Sequence, residues 1–78
     1  MKNENIHGFD IEYDDASETV KNYLTHLKDR LSHDEIKALI ESAKHDSLHK
    51  VHLEDKHANR VTLEYKTDNS CLIRKRLS

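Results

Sequence analysis

Several residue types that shape or cross-link small proteins are nearly absent from this sequence. Its 78 residues include no proline, no tryptophan, one glycine and one cysteine. The single glycine, Gly8, cannot build the glycine-rich loops that cradle phosphates. The single cysteine, Cys71, excludes a disulfide within these residues and any zinc site that needs several cysteines. The sequence therefore lacks the usual signatures of nucleotide-binding, disulfide-rich and cysteine-ligated zinc proteins.

Long hydrophobic runs are missing as well. No stretch approaches the roughly 20 apolar residues that a membrane-spanning helix requires. Residues 1–5 lack the apolar segment of a secretion signal, and their polarity predicts that they are disordered. We therefore expect a cytoplasmic chain without membrane contact, and the lone cysteine agrees with a reducing compartment.

Charge is what the sequence has in abundance. Charged residues make up 36% of the chain and hydrophobic residues 35%, with a formal net charge of −2. A short chain of this composition predicts one small domain over residues 1–78 with a thin core, which favours a homodimer because association buries more apolar area. Acidic residues predominate in residues 1–46 and basic residues in residues 47–78.

Two amphipathic helices are predicted in the middle of the chain, where apolar residues recur three and four positions apart. Asp15 and Glu18 resemble a capping box and predict a first helix starting near Asp15. Ser32 and Glu35 form a second, stronger capping box, and the helix that follows is expected to end near Asp46. Because almost no linker separates the helices, they should present one shared apolar surface to a second layer.

Strands are predicted on both sides of this helix pair. Apolar and polar residues alternate in residues 7–13, 49–54, 60–66 and 71–77, which is the period of a strand with one buried face. The predicted fold class is α+β, with two layers in the order β-α-α-β-β-β. The helix pair packs on one face of a mainly antiparallel sheet of about four strands. We expect the first strand to lie beside the last, which brings outward Asp10 and Glu12 near Arg74 and Arg76.

The alternation also predicts which residues face each other in the sheet. Pairing Leu53 with Val61 keeps both on the buried face and sets Lys50 opposite Glu64. A three-residue turn at residues 68–70 then sets Glu64 opposite Arg74. The outer face would carry Lys50, Glu64 and Arg74 in a row of alternating charge.

Residues capable of catalysis or metal binding are present but poorly arranged. His45, His49, His52 and His57 lie within thirteen positions, yet strand alternation points His49 and His52 to opposite faces, so they do not form a natural ligand set. Cys71 falls on the inward face of a strand, where a core residue is favoured over a nucleophile. We therefore expect no enzyme activity, no metal and no cofactor.

The remaining hypothesis is a small binding or regulatory protein that acts through protein–protein interaction. Its predicted contact residues lie on the outer sheet face or edge: Lys50, Glu64, Leu72, Arg74 and Arg76. The partner is expected to be another protein or a second copy of the chain.

The alternative is nucleic-acid binding through the basic second half of the chain. The run from Arg74 to Arg76 supports it. Against it stand the carboxylates Glu54 and Glu64 on the same predicted face, and the absence there of an aromatic side chain that stacks on a base.

Overall fold

A computed structural model describes residues 2–76 and has two helices packed on one face of a five-stranded mixed sheet, which confirms the α+β class. The elements in chain order are β1 (Lys2–Ile6), β2 (Phe9–Tyr13), α1 (Glu18–Arg30), α2 (His33–Lys44), β3 (Lys50–Glu54), β4 (Arg60–Thr67) and β5 (Ser70–Lys75). The strand order across the sheet is β1-β2-β5-β4-β3. The strands β2 and β5 run parallel and the other neighbours antiparallel.

The first hairpin corrects two predictions. Residues 1–5 were expected to be disordered, but Lys2–Ile6 form β1, while Met1 lies outside the described residues. The predicted strand at residues 7–13 begins only at Phe9, because His7 and Gly8 form the turn with φ angles of 52° and 92°. A two-residue hairpin loop with positive φ at both positions matches the twist of its strands. The Asn5 side chain accepts a hydrogen bond from the Gly8 amide at 3.2 Å and supports this turn.

The start of α1 corrects a third prediction. The helix begins at Glu18, and its N-cap is Ser17 rather than Asp15. The Ser17 hydroxyl accepts from the Val20 amide at 3.3 Å, which satisfies one of the free amides of the first turn. The Asp14 carboxylate instead accepts from the Ala16 amide at 3.0 Å. Asp14 and Asp15 therefore belong to the turn that precedes the helix.

The start of α2 is as predicted. The Ser32 hydroxyl accepts from the Glu35 amide at 3.3 Å, and the Glu35 carboxylate accepts from the Ser32 amide at 3.2 Å. Leu31 and Ser32 are both extended and alone separate the two helices. Both helices contribute buried residues to the same core, so they cover the same side of the sheet.

The register of the sheet is partly as predicted. Leu53 pairs with Val61 and Lys50 with Glu64, as expected. Between β4 and β5, however, Glu64 lies opposite Leu72 rather than Arg74. The turn holds two residues rather than three, and an irregularity follows Tyr65. The buried and exposed faces are unchanged, because the predicted register differs from the observed one by two residues.

The hydrophobic core lies between the helices and the inward face of the sheet. Its members are nearly inaccessible to solvent and come from both layers: Ile6, Phe9, Ile11, Val20, Tyr23, Leu24, Leu27, Ile36, Ile40, Ala43, Val61, Leu63, Cys71 and Ile73. Among the described residues, no buried side-chain polar atom lacks a hydrogen-bond partner. The helices bury one face of the sheet, and no element of the described residues 2–76 covers the opposite face.

Candidate functional site

The uncovered side of the sheet, here called the open face, carries the side chains that alternate with the core residues of each strand. Its position follows from the register, since residues opposite one another in a sheet share a side. The open face comprises Asn3 and Asn5 of β1, Asp10 and Glu12 of β2, Ser70, Leu72 and Arg74 of β5, Arg60, Thr62, Glu64 and Lys66 of β4, and Lys50, His52 and Glu54 of β3.

Three of the predicted contact residues meet near the β3 side of this face. Lys50, Glu64 and Arg74 line a shallow depression of 230 Å³ together with His52 and Thr62. The Arg74 guanidinium donates to the Glu64 carboxylate. The two residues are diagonal rather than direct neighbours, which is still within reach for long side chains.

The electrostatics of this cluster centre on Glu64. The hydrogen bond from Arg74 lowers the pKa of the Glu64 carboxyl, partial desolvation opposes that effect, and the charges of Arg74, Lys50 and Lys66 lower the pKa further. The Glu64 side chain is 28% exposed and the Arg74 side chain 50% exposed. The pair is therefore held in place at the surface and still accessible to a partner.

Leu72 lies at the middle of the open face. It is half-buried, and its neighbours across the sheet are Glu12 on β2 and Glu64 on β4. Lys66 donates to Glu12, so their side chains meet over the intervening strand β5. An apolar side chain thus sits between two ion pairs on a surface that faces solvent.

The remaining predictions about this face have mixed outcomes. The first hairpin does lie beside the last strand, but Glu12 bonds to Lys66 rather than to Arg74. Arg76 follows β5, where its backbone amide donates to the Arg60 carbonyl at 3.2 Å. Arg76 is not among the residues that line the depression beside Arg74. The structure therefore brings Lys50, Glu64 and Arg74 together, places Leu72 on the same face, and sets Arg76 beyond it.

The open face has no excess of either charge. Its acidic residues, Asp10, Glu12, Glu54 and Glu64, match in number its basic residues, Lys50, Arg60, Lys66 and Arg74. The phenylalanine and tyrosine side chains of residues 2–76 lie in or against the core on the other side of the sheet, at Phe9, Tyr13, Tyr23 and Tyr65. A face of this kind gives a nucleic acid no net positive field and, within residues 2–76, no phenylalanine or tyrosine on which a base could stack.

A second concave surface lies between α1 and the β3–β4 loop and was not predicted. It has a volume of 390 Å³ and is lined by polar side chains that include His26, Asp55 and His57. Although desolvation opposes it, hydrogen bonds from Asn59 and His57 lower the pKa of Asp55. Asp55 accepts from the amides of His57 and Asn59 at 2.8 and 2.9 Å, so its carboxylate is used to fix the loop. The sequence pattern could not predict that His26 lies near this loop, because their proximity depends on how α1 packs on the sheet.

The histidines clustered in the sequence do not converge on one point in the structure. Within the described chain, residues 2–76, no three histidine, cysteine or carboxylate side chains are close enough to hold an ion. The ring of His49 contacts the Lys44 carbonyl at 3.1 Å, whereas that of His52 contacts the Thr62 hydroxyl at 3.0 Å on the open face. His49 and His52 therefore lie on different surfaces of the molecule.

Cys71 is buried in the core. Burial raises the pKa of its thiol to about 12. A nucleophilic or metal-binding cysteine needs the opposite shift, since the thiolate is the reactive form. Cys71 therefore acts as a small apolar side chain.

Comparisons with known proteins return no relatives: no family model, curated protein or solved structure matches the chain. Neither of the helices described in residues 2–76 has the length and apolarity needed to cross a membrane.

Proposed function

We propose that this chain is a non-catalytic binding or regulatory protein that recognises another protein through the open face of its sheet. The observation that carries the proposal is the arrangement around Leu72, an apolar side chain flanked by the Glu64–Arg74 and Glu12–Lys66 ion pairs on a face without a covering layer.

The composition of the open face suits a protein partner. Protein interfaces combine an apolar centre with a polar rim, and arginine is enriched in them. Leu72 supplies the apolar centre, and the four charged side chains around it supply both donors and acceptors. Fixed charges of both signs favour a partner surface of complementary pattern and penalise others. The partner chemistry that fits is thus a protein surface with its own mixed charges around an apolar contact.

Charge reversal at the centre of the face tests the proposal. Arg74→Glu places a carboxylate beside Glu64, and we expect it to abolish capture of any partner that the wild-type chain retains from an extract of its source cells. Arg30→Glu on α1 makes the same change of charge away from the open face and is the matched control. Thermal melts followed by circular dichroism verify that both variants are folded.

The proteins captured by the wild-type chain, by Arg74→Glu and by Arg30→Glu are then compared. A protein retained by the wild-type chain and by Arg30→Glu, but lost with Arg74→Glu, supports the open face as the binding surface. Equal retention by all three contradicts it.

A further inference from the structure

Among the strands described in residues 2–76, β3 forms one edge of the sheet and pairs with β4 alone. An edge strand presents a row of backbone groups that a second strand can bind. The side chains of β3 read Lys50, Val51, His52, Leu53 and Glu54. The strand begins with a positive residue and ends with a negative one. When it pairs antiparallel with a second copy of itself, Lys50 of each copy therefore faces Glu54 of the other.

The direction of the free backbone groups follows from the ladder with β4. The Tyr65 amide donates to the His49 carbonyl at 2.8 Å, and the Asp55 amide donates to the Asn59 carbonyl at 3.4 Å. Because alternate residues of an antiparallel strand bond to the same neighbour, the even-numbered residues of β3 direct their amides and carbonyls to the free edge. The Lys50 amide accordingly donates to the Asp46 carboxylate at 3.4 Å rather than to β4.

We propose that two copies of this chain associate through β3, antiparallel and in register about a two-fold axis at His52. In this arrangement His52 faces His52 of the second copy, and Lys50 faces Glu54 at each end. All of these positions direct backbone groups to the edge, so His52 exchanges both hydrogen bonds with its counterpart. At each end, the Lys50 amide would replace its bond to the Asp46 carboxylate with one to the Glu54 carbonyl of the second copy. The interface is isologous, as two-fold dimers require.

Charge supports this register. Glu54 already bonds to Arg60 across the β3–β4 pair at 3.0 Å, and Lys50 lies opposite Glu64. On the open face of the dimer, one line of side chains perpendicular to the strands would contain Arg60 and Glu54 of one copy, followed by Lys50 and Glu64 of the other. Positive and negative side chains alternate without interruption, and opposite charges that face each other across strands are stabilising.

The inward face of β3 supports it as well. Val51 and Leu53 pack against the core but are only half-buried. In the proposed register Val51 faces Leu53 of the second copy at a non-hydrogen-bonded pair, where side chains approach most closely. The second copy would therefore complete the burial of both residues.

Other strand pairings are less favourable. Shifting β3 by two residues in either direction shortens the ladder and removes the Lys50–Glu54 pairs. The other edge strand, β1, opposes Glu4 to Glu4 of a second copy when its full length is paired with itself. Like charges directly opposite are destabilising, so β3 is the edge suited to self-association.

The proposal goes beyond the binding function of the open face and does not depend on it. A ladder of two five-residue strands buries less than the roughly 1,200 Å² of stable interfaces, so we expect a dimer that forms reversibly with rising concentration. Because both copies join one continuous sheet, their two open faces would point to the same side. A partner with two matching surfaces would then bind both at once.

Charge exchange between copies tests the register directly. In a homodimer of Lys50→Glu, glutamate faces Glu54 at both ends of the seam, and in a homodimer of Glu54→Lys, lysine faces Lys50. We expect each variant alone to sediment as a monomer at concentrations where the wild-type chain dimerises. In an equimolar mixture, the glutamate introduced by Lys50→Glu faces the lysine introduced by Glu54→Lys, and the native Glu54 of one variant faces the native Lys50 of the other. We therefore expect the mixture to restore the dimer.

A second pair of variants tests the edge itself. His52→Pro removes an amide that faces away from β4, which an edge strand tolerates, and should abolish the dimer while circular dichroism shows a folded chain. His52→Ala keeps that amide and should retain the dimer. Arg74→Glu should also retain it, which separates this proposal from the one for the open face. A wild-type chain that stays monomeric at all concentrations, a dimer unaffected by His52→Pro, or a mixture that remains monomeric would overturn the proposal.

Discussion

At the scale of single residues, Glu64 shows how surface position and electrostatics combine. Its carboxylate is near three basic side chains and bonds to one of them, Arg74. The bond is accessible to solvent, so its contribution to stability is limited to a few tenths to about 1 kcal/mol. Its value for function is that it fixes two charged groups beside Leu72 before a partner arrives.

The Glu64–Arg74 pair predicts a specific dependence of stability on pH. A carboxyl whose pKa is lower in the folded chain stabilises it above the ordinary glutamate pKa, and this contribution is lost as the pH falls through the lowered value. In a double-mutant cycle of Glu64→Gln and Arg74→Gln, we expect a coupling of about 0.5 to 1 kcal/mol at pH 7 and a smaller coupling at about pH 3, below the ordinary glutamate pKa. Urea unfolding at both pH values measures it. A coupling that is the same at both would show that charge is not its source.

At the scale of elements, the sequence predicts most clearly those features that sterics and hydrogen bonding decide locally. The α2 start was correctly predicted because Ser32 and Glu35 satisfy each other's backbone amides. The α1 start was wrong because three acidic or polar candidates precede that helix, and Ser17 rather than Asp15 has the cap geometry. Ser32 and Glu35 form both reciprocal bonds of a capping box, whereas Asp15 and Glu18 have only the spacing of that motif.

Removing the two helix caps should have unequal effects. Ser32→Ala breaks the reciprocal capping box of α2, and Ser17→Ala breaks the single hydroxyl bond of α1. We expect each to reduce the free energy of unfolding by about 0.5 to 2 kcal/mol, with the larger loss at Ser32. Ser42→Ala, at an exposed position in the last turn of α2, is the control and should be neutral or slightly stabilising because alanine has the higher helix propensity. Equal losses at all three positions in urea unfolding would contradict the capping account.

The strands show why part of the fold escapes sequence analysis. Alternation fixes which residues of β4 and β5 face the core, but a slip of two residues preserves that pattern, so Tyr65 pairs with Cys71 and not with Ile73. Turn length decides the register, and the pattern does not encode it. The strand β1 was missed because it is an edge strand with mostly polar side chains and buries only Ile6 fully.

At the scale of the whole molecule, the account depends on the asymmetry between the two faces of the sheet. Both helices lie on one side and pack against the inward-facing apolar residues of the strands. The candidate contact residues Lys50, Glu64 and Arg74 could be predicted to share a face, because the alternation of apolar and polar residues along each strand fixes the face that each side chain occupies. The polar surface at His26 and Asp55 could not be predicted, because it is formed by a helix and a loop whose contact depends on tertiary packing.

The most direct test of the open face as the binding surface is photo-crosslinking in the source cells. A benzoyl-phenylalanine at Thr62, between Glu64 and Arg60 on the open face, should form a discrete covalent adduct with the partner. The same group at Lys21, exposed on α1, is the matched control and should form none. An adduct from Lys21 but not from Thr62 would contradict the account, because it would place the partner on the helical side of the molecule.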